Sequence, residues 1–210
     1  MAQAKPRASY HHGDLPAALV AAAFELVEES GVQGFSVAEA ARRTGVSISA
    51  PYRHFSDRED LLAACAVAAV EELKRRFDVE LEVEPTPAGR LAAIAAAYVR
   101  FAAERRPMFE VLHGAGLEKP KYPRLETAAT EALAAAEAAA RELTPNGADS
   151  ETGVLVQALT GLAQGHATLL LDGAFGEPPG AVDLAATRAR AATAAMLRGR
   201  SLLFETPADG

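Results

Sequence analysis

Several side chains between residues 36 and 58 can hydrogen-bond to anionic oxygen. Hydroxyl, phenol and imidazole groups donate to phosphate, and a guanidinium can form the paired hydrogen bonds that identify guanine in a DNA groove. This set of groups indicates contacts to nucleic acid rather than chemistry on a substrate. The candidate contact residues are Ser36, Ser47, Ile48, Ser49, Ala50, Tyr52, Arg53, His54 and Arg58.

These candidates divide into contacts to phosphates and contacts to bases. Tyr52 and His54 can donate to phosphate, and Arg58 stands at a predicted helix start, where backbone amides and positive charge together favour an anion. Only Arg53 can make the bidentate contact to guanine, whereas its small apolar neighbours suit a thymine methyl. We therefore expect specificity to depend also on methyl contacts, water and DNA shape.

Two short helices joined by a tight turn would hold these groups on one surface. The S-x-x-E sequence that begins at Ser36 is a capping box and predicts a helix over about 37–44, and Gly45 suits the positive φ that ends it. A second short helix is predicted over 47–55, with Pro51 tolerated in its first turn. This is the spacing of a helix-turn-helix, whose second helix enters the major groove.

The packing of this pair is predicted from its apolar residues. Ala41, Val46 and either Ile48 or Tyr52 can close the small core between the two helices. Phe55 is expected to pack inside. The Tyr52 ring can pack while its hydroxyl faces outward, and His54 either contacts phosphate or is solvated.

The remainder of the chain is predicted to be helical. It contains 49 alanines in 210 residues, and no stretch alternates as a strand does. We predict an all-α fold of about nine helices, with an N-terminal three-helix domain that contains the helix-turn-helix and a larger C-terminal helical domain. The other helices are predicted over 14–30, from a Ser56–Glu59 capping box to 77 or beyond, and over 86–105, 106–113, 122–143, 150–173 and 181–199. The predicted divisions are a basic arm (1–13), the DNA-binding domain (14–58), the C-terminal domain (59–200) and a tail (201–210).

The formal net charge of −7 does not exclude a nucleic-acid partner, because it lies outside the first 58 residues, which sum to zero. Residues 36–58 and 1–13 are each locally positive, and local potential decides where a polyanion docks. Cys65 is the single cysteine, and we expect neither a metal nor another cofactor. The longest apolar runs, 61–70 and 91–99, are too short to cross a bilayer, which predicts a cytoplasmic protein without membrane contact.

The stretch VAEAARRTGVSISAPYRHFSDREDLL, residues 37–62, resembles the DNA-binding domain of the TetR family of bacterial transcriptional regulators. YHHGDLPAAL (10–19) resembles the start of the first helix in one branch of that family. RRPMFEVLHGAGL (105–117) and the segment 162–173 resemble the C-terminal domain of the same branch. This chain departs from that branch at Thr160 and at Gln164-Gly165, where Trp and His-Gly are usual, and it carries Pro51 where many members have an aliphatic residue.

The resemblance implies a homodimer on a pseudo-palindromic operator, an effector pocket within 87–172 and, as the usual outcome, repression released by a small molecule. The pocket candidates are Tyr98, Phe101, Met108, Phe109, His113, Gln157, Gln164 and Thr168, and packing within the core is the alternative role of each. The dimer candidates, on the last two helices, are Ala158, Gly161, Gly165, Ala185, Ala189, Ala192 and Met196, again with ordinary core packing as the alternative.

Other classes of function find less support in the sequence. No phosphate loop, metalloprotease or serine-hydrolase motif is present, and acidic pairs such as Glu71–Glu72 are most simply solvated charge, so we expect no enzymatic activity and no catalytic residue. A helical protein-interaction module without DNA binding is the alternative. Lys5, Arg7, His11 and His12 either track DNA as a basic arm or form a free tail.

Overall fold

The structure is a computed structural model that describes residues 14–144, 149–177 and 180–204; the predicted basic arm and the end of the tail lie outside these residues. Within the described residues all regular structure is helical, which confirms the predicted all-α class. The eight α-helices are α1 (Leu15–Gly34), α2 (Val37–Arg43), α3 (Arg58–Val83), α4 (Pro87–Glu104), α5 (Arg106–Gly114), α6 (Pro123–Arg141), α7 (Asp149–Leu171) and α8 (Gly180–Arg198). Short 3₁₀ turns cover Pro51–Arg53, Lys119–Lys121 and Arg200–Leu203.

The first helix begins as predicted and continues beyond its predicted end. The Asp14 side chain accepts a hydrogen bond from the Ala17 amide at 3.1 Å, which satisfies one of the free amides of the first turn. Gly31 has φ +69° and ψ 171°, so it interrupts the helix, which then continues to Gly34. The predicted end at Ser30–Gly31 is therefore a kink within α1.

Both ends of α2 are capped by the residues that predicted them. Ser36 accepts from the Glu39 amide at 3.2 Å. At the other end Gly45 has φ +74°, its amide donates to the Arg42 carbonyl at 3.1 Å, and the Val46 amide donates to the Ala41 carbonyl at 3.0 Å. These paired bonds are a Schellman motif, which turns the chain sharply away from the helix axis.

The start of α3 differs from the prediction by one residue. The cap is Asp57, which accepts from the Asp60 amide at 2.8 Å. The amide of Ser56 donates instead to the Asp60 carboxylate at 2.9 Å. An aspartate caps a helix as well as a serine does, and the D-x-x-D sequence prevailed over the overlapping S-x-x-E.

Two hydrophobic cores share α3. Its first half packs with α1, α2 and the beginning of α6 around Leu19, Leu61 and Leu62, all fully buried. Its second half packs with α4, α7 and α8 around Phe101 and Leu155. Alanines line the α4 and α8 surfaces within this second core, and their small size permits close approach of the helices. Because α3 belongs to both cores, it connects them rigidly.

A buried carboxylate joins α3 to α4 on the outside of the second core. Glu72, predicted to be solvated, is 7% exposed and contacts Arg76 at 3.0 Å and Arg105 at 3.6 Å. Burial opposes its ionisation, but the hydrogen bond from Arg76 and the surrounding guanidinium charges prevail and lower the pKa of Glu72. This carboxylate therefore has a structural role.

One helix of the described residues, α7, is long and apolar enough to cross a membrane by length and composition alone. The two apolar runs noted in the sequence, 61–70 and 91–99, are core segments of α3 and α4. Leu155, Leu159 and Ala167 of α7 are buried against the rest of the C-terminal core. Only 33% of the most apolar 18-residue stretch of α7 is buried inside the protein, however. A largely apolar helix with an uncovered face calls for a partner surface.

Replacing Gly45 tests the turn that follows α2. We expect Gly45→Ala to lower the free energy of unfolding by about 1 kcal/mol, because a Cβ disfavours the left-handed conformation. Gly153→Ala is the matched control: Gly153 lies inside α7 with open space around its Cα, so alanine there should stabilise by a few tenths of a kcal/mol up to about 1 kcal/mol. Urea unfolding of both variants measures the two shifts, and equal signs would contradict the assignment of the turn.

Candidate functional site

The segment after the α2 turn, residues 47–54, carries most of the predicted nucleic-acid contacts, and we name it the recognition segment. Its backbone forms consecutive tight turns: the Ala50 amide donates to Ser47 at 2.9 Å, and the His54 amide donates to Pro51 at 2.9 Å. The second short helix predicted over 47–55 is therefore shorter than expected, because only Pro51–Arg53 is helical and it forms a 3₁₀ turn. Proline explains the difference, because it lacks the amide that would bond to Ser47 in an α-helix.

The recognition segment is anchored by residues other than those predicted. Pro51 is almost completely buried and Phe55 is 8% exposed, and the Phe55 ring belongs to the N-terminal core. Ile48 and Tyr52, the two alternatives predicted for the small core between the helices, are 55% and 53% exposed. The burial of Phe55 confirms the prediction for that residue. The burial of Pro51 was not predicted, because only its missing backbone amide was considered and not its apolar ring.

The exposed side chains of the segment form one continuous polar and apolar surface. Ser47, Ser49, Arg53 and His54 are all exposed, and the two serine hydroxyls lie 3.2 Å apart. Ala50 is half-buried beside them. Ser36 is exposed at the N-terminus of α2, and because its oxygen accepts from Glu39, its own proton can be donated outward. This surface can offer several donors to a phosphate chain.

The arginines of α2 have partners within the protein. Arg43 donates to both carboxylate oxygens of Glu29, at 2.9 and 2.7 Å, and lies 3.4 Å from Glu25. The hydrogen bond to Glu29 raises the pKa of Arg43, and that same bond lowers the pKa of Glu29. Arg42 pairs with Glu39. Arg53 makes no ion pair with any residue that the structure describes, so the free positive charge of this surface is concentrated there.

Arg58 is turned toward the backbone of the protein rather than outward. Its Nε donates to the Phe35 carbonyl at 3.1 Å, its Nη2 donates to the Val32 carbonyl, and its guanidinium carbon lies 5.6 Å from the centre of the Phe35 ring. We call this group of contacts the Arg58 clasp. The guanidinium predicted to bind phosphate thus fastens the junction of α1 and α2 to the beginning of α3.

A cavity of about 210 Å³ lies between α3, α4, α5, α6 and α7. Tyr98 and His113, both predicted for a pocket, line it, and the Tyr98 hydroxyl lies 2.7 Å from His113 Nε2 and donates to Gln164 Oε1. Burial raises the pKa of Tyr98, so the phenol keeps its proton. The cavity is lined by Ala66, Val70, Leu73, Phe77, Ile94, Tyr98, Leu112, His113, Leu117, Leu125, Ala129, Ala132, Leu133, Ala136, Val156, Leu159, Thr160 and Ala163.

Five predicted pocket residues lie elsewhere. Phe101 is fully buried with the Arg76 guanidinium over its ring, and Phe109 packs behind the cavity with its ring 4.6 Å from that of His113. Met108 lies in a separate groove between α1, α3 and α6. Gln157 and Thr168 are exposed on the outer side of α7. The spacing that grouped these residues did not indicate which neighbour each helix face would meet.

The wall contributed by α6 was missed, although the sequence carries its signal. Leu125, Ala129, Ala132, Leu133 and Ala136 all line the cavity. They recur at intervals of three, four and one residues, which is the apolar stripe of a helix. The abundance of alanine throughout α6 obscured this stripe, since the opposite face of the helix is also rich in alanine.

On α7, the residues predicted for the dimer surface lie on the outer face of the helix. On α8, the exposed outer face is formed by other residues than those predicted. Gly161 and Gly165 are exposed and Ala158 is half-buried along one side of α7. Ala185 and Ala189 are fully buried against the protein's own core, so they do not reach this surface, and Ala192 and Met196 are half-buried. The exposed stripe of α8 comprises Leu184, Ala191 and Ala195 instead.

A series of contacts leads from the cavity to the Arg58 clasp. His113 lines the cavity at the end of α5, and the next residue, Gly114, faces Val32, because a Cβ built on Gly114 would lie 3.6 Å from Val32 Cγ2. Val32 follows the Gly31 kink, and its carbonyl accepts from Arg58. The end of α5 therefore lies between the cavity and the backbone that the clasp holds.

Comparison with known sequences and structures agrees with this geometry. Residues 19–65 match the family described as bacterial regulatory proteins, tetR family, and residues 91–198 match the family described as tetracyclin repressor-like, C-terminal domain. No curated protein matches the chain.

Solved structures share the whole fold. A protein of unknown function from a Rhodococcus species is 30% identical with a TM-score of 0.74, over 92% of this chain and 98% of that one. The TetR family transcriptional regulator PfmR from Thermus thermophilus is 22% identical with a TM-score of 0.62, over 86% and 97%. The regulator FadR from Bacillus subtilis, solved with stearoyl-CoA, is 16% identical with a TM-score of 0.61, over 86% and 96%. With its two family domains matched in order and the helix-turn-helix surface in place, the chain belongs to the TetR family of DNA-binding transcriptional regulators.

Proposed function

We propose that this regulator is a repressor that binds a pseudo-palindromic operator as a homodimer and leaves it when a small molecule fills the cavity between α3 and α7. The observation that carries the proposal is the recognition segment, which is rigidly anchored by Pro51 and Phe55 yet presents its polar side chains outward. A surface whose backbone is fixed by the core, and whose outward polar side chains are available for hydrogen bonds, suits recognition of an external partner.

Each exposed group of the segment has a role on DNA in this proposal. Ser36, Tyr52 and His54 donate to phosphates and set the position of the protein. Arg53, which makes no ion pair with a described residue, reads a guanine in the major groove. The remaining contacts, to base edges and thymine methyls, come from Ser47, Ile48, Ser49 and Ala50.

Arg58 and Arg43 act as positioning residues in this proposal. The Arg58 clasp holds the α1–α2 junction, and the Arg43 pair with Glu29 fixes α2 against α1. Both guanidinium groups use the fork geometry that lysine does not have. The orientation of the recognition segment relative to α3 therefore depends on them.

The homodimer is supported by the uncovered face of α7 and α8. Val154, Ala158, Gly161, Gly165 and Leu169 follow one side of α7 at intervals of four, three, four and four residues. Small residues in such a row allow another helix to approach closely. Leu169 is 48% exposed and Leu184 of α8 is 41% exposed, so burial of this face against a second copy removes apolar surface from water.

Release by an effector is supported by the contacts between the cavity and the clasp. A ligand that favours a different position of α5 would move Gly114 against Val32 and shift the backbone to which Arg58 is bonded. The two recognition segments would then no longer match successive major grooves. The mostly aliphatic lining of the cavity supports an effector with an apolar body. The proposal places the regulator in the cytoplasm, where its DNA is, and assigns it no enzymatic reaction.

Selection from a random DNA pool tests the proposed function directly. We expect enrichment of a two-fold symmetric sequence whose half-sites are about one helical turn, or a multiple of it, apart. The logarithm of the binding constant should then fall linearly with the logarithm of salt concentration, because phosphate contacts release counterions. A pool without enrichment and binding that is insensitive to salt would identify a protein-interaction module instead.

Alanine variants of Arg53 and Arg58 separate contact from positioning. Arg53→Ala should leave the free energy of unfolding within about 0.5 kcal/mol, lower operator affinity roughly tenfold to a hundredfold and relax one base position in the selection. Arg58→Ala should lower the free energy of unfolding by about 2 kcal/mol, because two carbonyls lose a charged donor. Urea unfolding and fluorescence anisotropy measure both effects. Unchanged stability with uniformly weaker binding in Arg58→Ala would make Arg58 a phosphate contact.

A charge placed at Gly161 tests the dimer surface. The protein leaves open space beside the Gly161 Cα, so Gly161→Arg should preserve the fold of the subunit and prevent association. Light scattering at micromolar concentration should give a monomer, and operator affinity should fall at least about a hundredfold because one half-site binds weakly alone. Ala134→Arg, on the exposed side of α6, is the control and should remain a dimer. A dimeric Gly161→Arg would place the interface elsewhere.

A further inference from the structure

The cavity between α3 and α7 has mostly apolar walls and a few polar side chains. Its walls are formed by aliphatic and aromatic side chains, with a cluster of polar groups at one edge that comprises Tyr98, His113 and Thr160, with Gln164 bonded behind them. No lysine, arginine, aspartate or glutamate lies among its lining residues in the described chain. A ligand with a full negative or positive charge would lose its hydration without gaining a strong ionic partner.

The polar edge has a defined arrangement of protons. Tyr98 has one hydroxyl proton and donates it to Gln164 Oε1, so His113 Nε2 is the donor in its 2.7 Å bond to the Tyr98 oxygen. The raised pKa of Tyr98 keeps this proton in place. A group inserted between Tyr98 and Gln164 must therefore accept from the phenol and donate to the amide oxygen. A hydroxyl group does both, whereas a carbonyl or ether only accepts.

The size of the cavity limits the apolar part of the ligand. An apolar protein cavity of roughly 150 Å³ is sufficient for benzene, and this cavity has a volume of about 210 Å³. The enclosed space thus suits one substituted aromatic ring or a chain of comparable volume. A long acyl chain would need the helices to move apart.

The opening of the cavity determines which end of the ligand enters first. Leu133, Val156 and Thr160 line both the cavity and an outer groove between α6 and α7, so the passage to solvent lies there. Gln164 lines the same groove one helical turn after Thr160. The polar edge is therefore beside the opening. An amphipathic ligand would enter with its apolar end and leave its hydroxyl at Tyr98.

We propose that the ligand of this cavity is an uncharged single-ring phenol, or an alcohol of similar volume, whose hydroxyl lies between Tyr98 and Gln164. The proposal rests on the proposed function only in treating this cavity as the effector site. The chemistry it names is that of the cavity itself. It distinguishes this site from one built for a carboxylate or for a long acyl thioester.

Three probes with one common body test the ligand class by calorimetry on the full chain without DNA. 4-Ethylphenol should bind about three to ten times more tightly than ethylbenzene, the range expected for a net hydrogen bond. 4-Ethylbenzoate should bind at least about ten times more weakly than the phenol. In Tyr98→Phe, which keeps the ring that packs edge-on against Phe109, phenol and ethylbenzene should bind equally. Equal affinities in the original protein, or preference for the benzoate or for stearoyl-CoA, would overturn the proposal.

Two leucine variants locate the binding. Ala129→Leu fills the cavity from α6 and should abolish binding of 4-ethylphenol, whereas Ala134→Leu, on the exposed side of the same helix, should leave it unchanged. Equal effects of the two variants would mean that the phenol binds elsewhere and would overturn the proposal. Addition of 4-ethylphenol to the operator complex is a separate experiment. Binding in the cavity without release of DNA would support the ligand class and refute the effector role.

Discussion

The hydrogen bonds from Arg58 to the carbonyls of Val32 and Phe35 are the contacts on which the DNA-binding half of the molecule depends. These carbonyls lie at the end of α1, just after the kink at Gly31, and face the beginning of α3. A hydrogen bond from a charged donor contributes more to stability than one from a neutral donor. The Arg58 side chain can therefore fix α1, α2 and α3 relative to one another. Val32 also faces Gly114, the last residue of α5, and the residue before it, His113, lines the cavity. In the function we propose, DNA recognition and the response to a ligand both depend on this contact.

The recognition segment shows how a sequence can present a binding surface without a regular helix. Pro51 removes one α-helical hydrogen bond and contributes an apolar ring to the core, so the chain forms 3₁₀ turns that are fixed from below. The side chains around it are then free to face outward. Arg42 and Arg43 are held by glutamates, so Arg53 is the exposed arginine of this surface that has no ion pair among the described residues.

Local signals predicted most of the fold. The cap at Ser36 and the turn at Gly45 each depend on neighbours within four residues, and both are found as expected. The direction of Arg58, the burial of Glu72 and the choice between Ala185 and Leu184 as the outer face of α8 depend on which helix lies opposite. That information is tertiary. Tyr98, His113 and Gln164 were predicted from the pocket region that the family resemblance implies and from their spacing, whereas the α6 wall was not, since alanine covers both faces of that helix.

In the function we propose, a ligand in the cavity changes the spacing of the two recognition segments across a dimer. Spin labels at Glu28→Cys, on the exposed side of α1 and outside the proposed DNA contacts, follow that spacing without disturbing the operator complex. Burial raises the pKa of Cys65 to about 12, so this thiol will not compete for the label. We expect a narrow distribution of distances between the two labels in the operator complex, because successive major grooves fix the two DNA-binding domains, and a shifted distribution once 4-ethylphenol is bound. The absence of any distance between subunits, or an identical distribution with and without a ligand that occupies the cavity, would contradict it.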